Sequence, residues 1–138
     1  MKATQNNSGD IRINVKIKLS ALWTSVMFCY IYGDYFELYV PKKVDGLISG
    51  QNVLDNPMKL FAAALVMTIP ASMIFLSVML NLKTNRILQL VFGTIYTAMM
   101  LLIAVASLTE WYTFYVYFAI VESIITSIIV WQAWTWKN

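Results

Sequence analysis

Three carboxylates, Asp34, Glu37 and Glu122, lie inside stretches of chain that are otherwise apolar enough to cross a bilayer. An ionisable side chain in hydrocarbon is costly unless something pairs with it, so such groups mark ligand, proton or packing sites. His is absent, and every Lys and Arg lies outside these stretches or at their ends. Neutralisation must come from protonation, from the hydroxyls of Tyr30, Thr68, Thr94, Tyr96 or Thr97, or from an imported cation. No cofactor fingerprint, metal cluster or nucleophile constellation accompanies the acids, so no catalytic residue, metal site or cofactor is expected.

The three acids differ in depth. Glu122 stands about 17 Å from either end of its stretch at 1.5 Å per residue, near the midplane, where snorkelling does not rescue a charge. It is expected to be protonated or cation-bound at neutral pH. Its helical stripe is Tyr115, Ala119, Glu122 and Thr126, and Ala119, Ser123 and Ser127 form a ladder of small residues suited to close helix contact. A stripe of Ser20, Trp23, Met27, Tyr30, Asp34 and Glu37 runs along the first stretch and is expected to face protein. Glu37, about 5 Å along the helix from Val40, reads as an interfacial carboxylate, and Asp34, beside Gly33, as a cavity-lining one. The candidate ligand-binding residues are Asp34, Glu122, Tyr30, Glu37, Tyr115, Tyr96 and Thr126. The plainer alternative is a Glu122 that only hydrogen-bonds a hydroxyl on a neighbouring helix.

Four stretches must position these groups: residues 20–40, 58–80, 86–108 and 111–134, each near the roughly 20 residues that span a hydrocarbon core. With 59% hydrophobic and 12% charged residues in 138, little polar sequence remains beyond the connections. A soluble bundle would need a polar outer face on each helix, yet Leu60 to Leu80 carries no charge. The expected fold is all-α, a membrane-embedded antiparallel four-helix bundle forming one domain over residues 20–138. Residues 1–19 read as a cytoplasmic tether followed by an interfacial lead-in, where Ile11, Ile13, Val15, Ile17 and Leu19 alternate with polar residues as in a strand or extended chain. The short second and third connections make spans two and three, and three and four, antiparallel neighbours. The longer 41–57 connection is apolar enough to fold back as a cap. Pro70 frees the carbonyl of Val66, which Thr68 or Ser72 could re-satisfy. The single Cys29 excludes an intrachain disulfide and reads as a small apolar side chain.

Aromatic residues crowd one end of the first and fourth stretches, as an interfacial belt or as a cage for an organic cation. Trp131, Trp134 and Trp136, beside Lys137, read as the belt at the other end. Seven of the ten basic residues, Lys2, Arg12, Lys16, Lys18, Lys83, Arg86 and Lys137, fall on one side of this topology, against Lys42, Lys43 and Lys59 on the other. Both termini are therefore expected in the cytoplasm. Basic residues this scattered form no nucleic-acid stripe, so no nucleic-acid partner is expected.

The residues Leu22-Trp23, Val26-Met27-Phe28, Tyr30, Tyr32, Asp34 and Pro41 resemble a pattern in an uncharacterised bacterial family of small four-span membrane proteins, a domain of unknown function, and the likeness covers nearly all the spans. That resemblance implies a bacterial inner-membrane, multi-pass protein without implying an activity. The chain is also similar in size to small multidrug exporters, but those carry their acid on a polar, Gly-rich first span, whereas Glu122 is on the fourth.

The function expected from the residues is binding or transport of a proton, cation or small molecule through a carboxylate-lined pocket. The partners are the lipid bilayer, that ligand and, for a transport path, further copies of the chain. The alternatives are a scaffold whose acids lock helix packing, and a lipid- or quinone-modifying enzyme using Asp34 and Glu122 as acid and base. In a Cys29-free background, a cysteine placed at Ser49 should label with an impermeant reagent from outside and one at Thr84 should not. The reverse pattern overturns the topology.

Overall fold

The computed structural model describes residues 13–136, and their regular elements are all helical. They are α1 (Val15–Glu37), α2 (Lys43–Ile48), α3 (Pro57–Met79), α4 (Leu82–Ala106) and α5 (Thr113–Thr135), with a 3-10 turn over Glu110–Tyr112 leading into α5. Three segments, α3, α4 and the turn together with α5, are long and apolar enough to cross a membrane. α1 equals α3 in length at 23 residues. Its Ser, Thr and Tyr side chains and Asp34 leave it less apolar than the other three, so of the four expected spans three meet the measure on their own.

Local sequence sets the helix starts. Asn14, Asn56 and Asn81 are N-caps whose side-chain oxygens accept from the backbone N–H groups of Lys16, Lys59 and Thr84 at 2.9, 2.9 and 3.0 Å. Each satisfies a donor that the first helical turn leaves unpaired. Pro57 occupies the first turn of α3, where its missing N–H costs nothing. The cap at Asn14 also corrects the alternating reading of the lead-in, because Val15–Leu19 are helical. Val15 and Leu19 are four apart and share a helix face as readily as a strand face, so five residues did not separate the two periods. The tether over residues 1–10, together with Ile11, Arg12 and Lys137, lies outside the described residues.

Around a hydrophobic core of Leu19, Trp23, Val26, Met73, Tyr96, Met100 and Ile129, side-chain burial departs from that of a water-soluble protein. Ser77, Asn85, Gln89, Glu122, Ser123 and Thr126 are buried, while Phe61, Leu65, Phe75, Ile95, Leu102 and Ile124 are exposed on the outer faces of α3, α4 and α5. Apolar surface this extensive needs an apolar surrounding, and hydrocarbon supplies it.

α1 packs against both α3 and α5, and α4 packs most extensively against α5. The α4–α5 approach is close at Gly93, where an added Cβ would fall 2.7 Å from Val130 Cγ2. α3 and α4, though joined by the tight Leu80-Asn81 connection, touch little, and long polar side chains bridge them. The Trp23 indole N–H donates to Gln89 Oε1 at 2.6 Å, and Gln89 Nε2 donates to Ser77 Oγ at 2.7 Å and Asn85 Oδ1 at 2.9 Å. Asn85 Nδ2 completes the set by donating to the Ser77 carbonyl at 2.6 Å. This network ties α1, α3 and α4 together and leaves none of its members unpaired.

At the same end, cationic side chains cover helix C-terminal carbonyls. Lys16 Nζ donates to Leu80 O after α3, and Arg86 Nη2 donates to Trp134 O in the last turn of α5 at 3.1 Å. Both contacts place positive charge where the helix dipole is negative. Trp131 and Trp134 are exposed there, as a belt requires, whereas Trp136 packs against the core.

Gln89→Leu should lower folded-state stability in detergent by about 2 kcal/mol, because the Trp23 N–H loses its acceptor inside the protein. Ser25→Ala, on an exposed hydroxyl bonded only to its own helix, should be near neutral by the same thermal melt. Equal melting of the two variants would show that the network contributes nothing.

Candidate functional site

The buried stripe of α1 is Leu19, Trp23, Val26, Tyr30 and Gly33, stepping at three and four. Asp34 lies one residue beyond this stripe and is exposed, so the expected all-protein face for Asp34 is corrected to the edge of that face. On α5 the buried stripe contains Ala119, Glu122, Ser123 and Thr126, as the spacing predicts. Gly33 meets Tyr115 across the α1–α5 contact, at 3.7 Å from an ideal Cβ to the ring, which fixes the register of the two helices.

Above that contact the helices part around a cavity of about 90 Å³. Its walls include Tyr30 and Asp34 from α1, Met67 from α3, Met99 from α4, and Tyr115 and Glu122 from α5. Asp34 is exposed at the mouth and Glu122, 3% exposed, lies at depth. Tyr30 is 8% exposed, and its buried hydroxyl has no hydrogen-bond partner. No Lys or Arg lines the cavity.

Of the hydroxyls offered by the sequence as partners for the acids, those of Thr68, Tyr96 and Thr97 are engaged elsewhere. Tyr96 donates to Val66 O, the carbonyl that Pro70 releases, so a tyrosine from α4 does what Thr68 and Ser72 were expected to do. Thr68 bonds Ala64 O instead, at 2.8 Å. Thr97 donates to Gly93 O at 2.8 Å and pairs with Thr126 Oγ1 at 2.7 Å, while Thr126 also reaches Glu122 O at 2.9 Å. That last contact is to the backbone carbonyl. Among the described residues, neither the Glu122 nor the Asp34 carboxylate receives a side-chain hydrogen bond.

Of the seven candidate residues, four are thus brought to one cavity: Asp34, Glu122, Tyr30 and Tyr115. Tyr96 and Thr126 stand behind it as structural hydrogen-bonding groups, and Glu37 belongs to a separate arrangement. Sequence reasoning passed over Cys29, Met67, Met99 and Met100, which also line the cavity. Only the helix packing reveals that they converge. Among the described residues no cluster of three or more His, Cys, Asp or Glu is placed to hold a metal ion.

The chain belongs to a family of unknown function, DUF6326. The match covers residues 10–138, including the whole of the cavity. No curated protein and no solved structure matches the chain.

In this DUF6326 chain Glu37 is paired. Lys43 Nζ, at the start of α2, forms an ion pair with Glu37 Oε1, to which the Tyr112 hydroxyl also donates at 3.3 Å. The ion pair ties the start of α2 to the end of α1, while Val44, Leu47, Ile48, Val53 and Leu54, expected to let the connection fold back as a cap, are exposed. Burial pulls the Lys43 ammonium down, but the hydrogen bond and charge of Glu37, with smaller help from Tyr112 and Asp34, outweigh it and hold Lys43 above its ordinary value of 10.5.

A lysine raised in the folded state stabilises fully below its unfolded value and loses that contribution as pH rises through the folded one. Protease protection of the 41–57 connection should accordingly not decline on the alkaline side until pH exceeds about 10.5, the ordinary lysine range. In Lys43→Met the protection should already be weaker at pH 7. Protection identical to the parent in Lys43→Met would show that the ion pair does not hold the connection.

Proposed function

We propose that this protein is a multi-pass, four-span membrane protein that binds a small cation or proton in the cavity between α1, α4 and α5. Asp34 acts as the entry carboxylate and Glu122 as the deep one. The observation that carries this reading is the convergence of two carboxylates and an unpartnered, buried Tyr30 hydroxyl on one cavity with no basic side chain in its wall. Elsewhere in the same interior, buried polar groups such as Ser77, Asn85 and Gln89 are fully engaged. A group left unpaired where its neighbours are not is one whose partner arrives from outside.

Size narrows the ligand. At about 90 Å³ the cavity falls well below the roughly 300 Å³ at which drug-sized pockets begin, and suits an ion with a few waters. α1 is the fourth span, with Tyr30 and Asp34 on this cavity and Trp23 in the Gln89 network. The basic end of the helices faces the cytoplasm by the positive-inside rule, which puts the Asp34 mouth on the outer side. The inner membrane of a bacterium is the proposed location. Transport across the membrane needs a continuation of the path past Glu122, for which neighbouring copies are the proposed source.

The scaffold reading draws on the Gln89 network, which shows this interior using polar groups for packing alone. Glu122→Gln separates the two. It keeps shape and hydrogen-bonding capacity while removing charge, so the variant should fold and melt close to the parent. It should also lose the cation-dependent rise in melting temperature and cation or proton uptake into liposomes. Asp34→Asn should weaken both responses, and Glu122→Ala should additionally melt lower by about 1 to 3 kcal/mol through lost packing. A Gln form with the parent's full cation response would leave Glu122 no charge chemistry and would make the scaffold the better account.

A further inference from the structure

The cavity wall carries an unusual share of sulfur. The chain contains eight Met and one Cys in 138 residues, yet Cys29, Met67, Met99 and Met100 all line this one space. They come from three different helices, α1, α3 and α4, so no single amphipathic stripe explains the grouping. Met is a flexible core filler, and in a close-packed interior that role would suffice. Met100 belongs to the buried core and Met67 and Met99 pack against it, but with Cys29 they also border a void shared with Asp34 and Glu122 and with a Tyr30 hydroxyl that is nine-tenths buried and unpartnered.

We propose that the cavity is a site for a soft monovalent metal cation of the copper(I) or silver(I) class, held by thioether and thiol sulfur with the carboxylates supplying charge. This rests on the cation reading of the cavity and names its ligand class. Thioethers and thiolates select soft ions, and a thioether needs no deprotonation to bind. Hard cations fit the wall less well. Magnesium demands six oxygens in near-octahedral array and calcium takes six to eight, whereas the oxygen donors here are two carboxylates and the Tyr30 and Tyr115 hydroxyls. A soft ion is also less tightly hydrated, which suits a wall that is mainly apolar. Asp34 at the mouth attracts the ion from water, Glu122 balances its charge at depth, and the Tyr30 hydroxyl is placed to bond the carboxylate or a water that accompanies the ion.

Purified full-length protein in detergent, titrated with silver(I) as a redox-inert probe and separately with sodium and potassium, tests this. The parent should bind silver(I) with a rise in melting temperature. Because any thiol takes silver, the decisive comparison is made in a Cys29→Ala background, where binding should persist. Adding Met67→Leu, Met99→Leu and Met100→Leu, swaps that nearly conserve volume and keep the fold, should weaken silver(I) binding by about tenfold or more. Met58→Leu and Met79→Leu, on exposed sulfurs at the two ends of α3, should leave it unchanged.

Silver(I) binding equally well to the triple-Leu and parent forms, with sodium or potassium responses that depend on Glu122, would overturn the sulfur assignment and leave the cation reading intact. A folded parent that responds to none of these ions, and whose pH-dependent uptake is the same in Glu122→Gln, would overturn both.

Discussion

In hydrocarbon there is no water to complete a hydrogen bond, so every polar group inside this protein must find its partner within the protein or carry a cost of several kcal/mol. That constraint organises the interior. It explains why Gln89 reaches three partners, why Lys16 and Arg86 turn onto the last carbonyls of α3 and α5, and why the Tyr96 hydroxyl covers the carbonyl bared by Pro70. The two halves of the interior then separate by how well the rule is met. Toward the basic end, the α1–α3–α4 network is closed. Toward the other end, the helices part around Asp34, Glu122 and Tyr30, and the rule is left open.

The contrast assigns different duties to similar residues. Polar side chains of the first region hold α3 and α4 at a separation that their direct contact would not maintain. Thr97 and Thr126 do the same between α4 and α5, next to the close approach at Gly93. With both seams fixed, the cavity walls are carried on packed helices. Glu37 belongs to neither region, and its carboxylate is paired with Lys43 at the start of α2.

Much of the frame was legible in the sequence because apolar runs of about 20 residues and Asn caps are local signals. The second, third and fourth apolar stretches were placed to within a few residues, and the α5 stripe through Ala119, Glu122 and Thr126 was read correctly. The start of α1 was not, since Val15 to Leu19 fits both periods until the Asn14 cap is recognised. Asn85 and Gln89, four apart in an apolar helix, with a Trp on another span, were a readable sign of a network. A pocket shared by Asp34 and Glu122 was read from the sequence, but the convergence of Met67, Met99 and Cys29 on the same space depends on how α1, α3 and α4 cross, which no single stretch encodes.

The central claim is that the deep end of this cavity exchanges a proton for a cation at Glu122. Proton release on cation addition, followed in weakly buffered detergent solution with a Cys29→Ala background, addresses it directly. The account predicts release that saturates with the cation and is absent in Glu122→Gln. Release that is the same in the Gln form, or no release from a protein that demonstrably binds the ion, would contradict it.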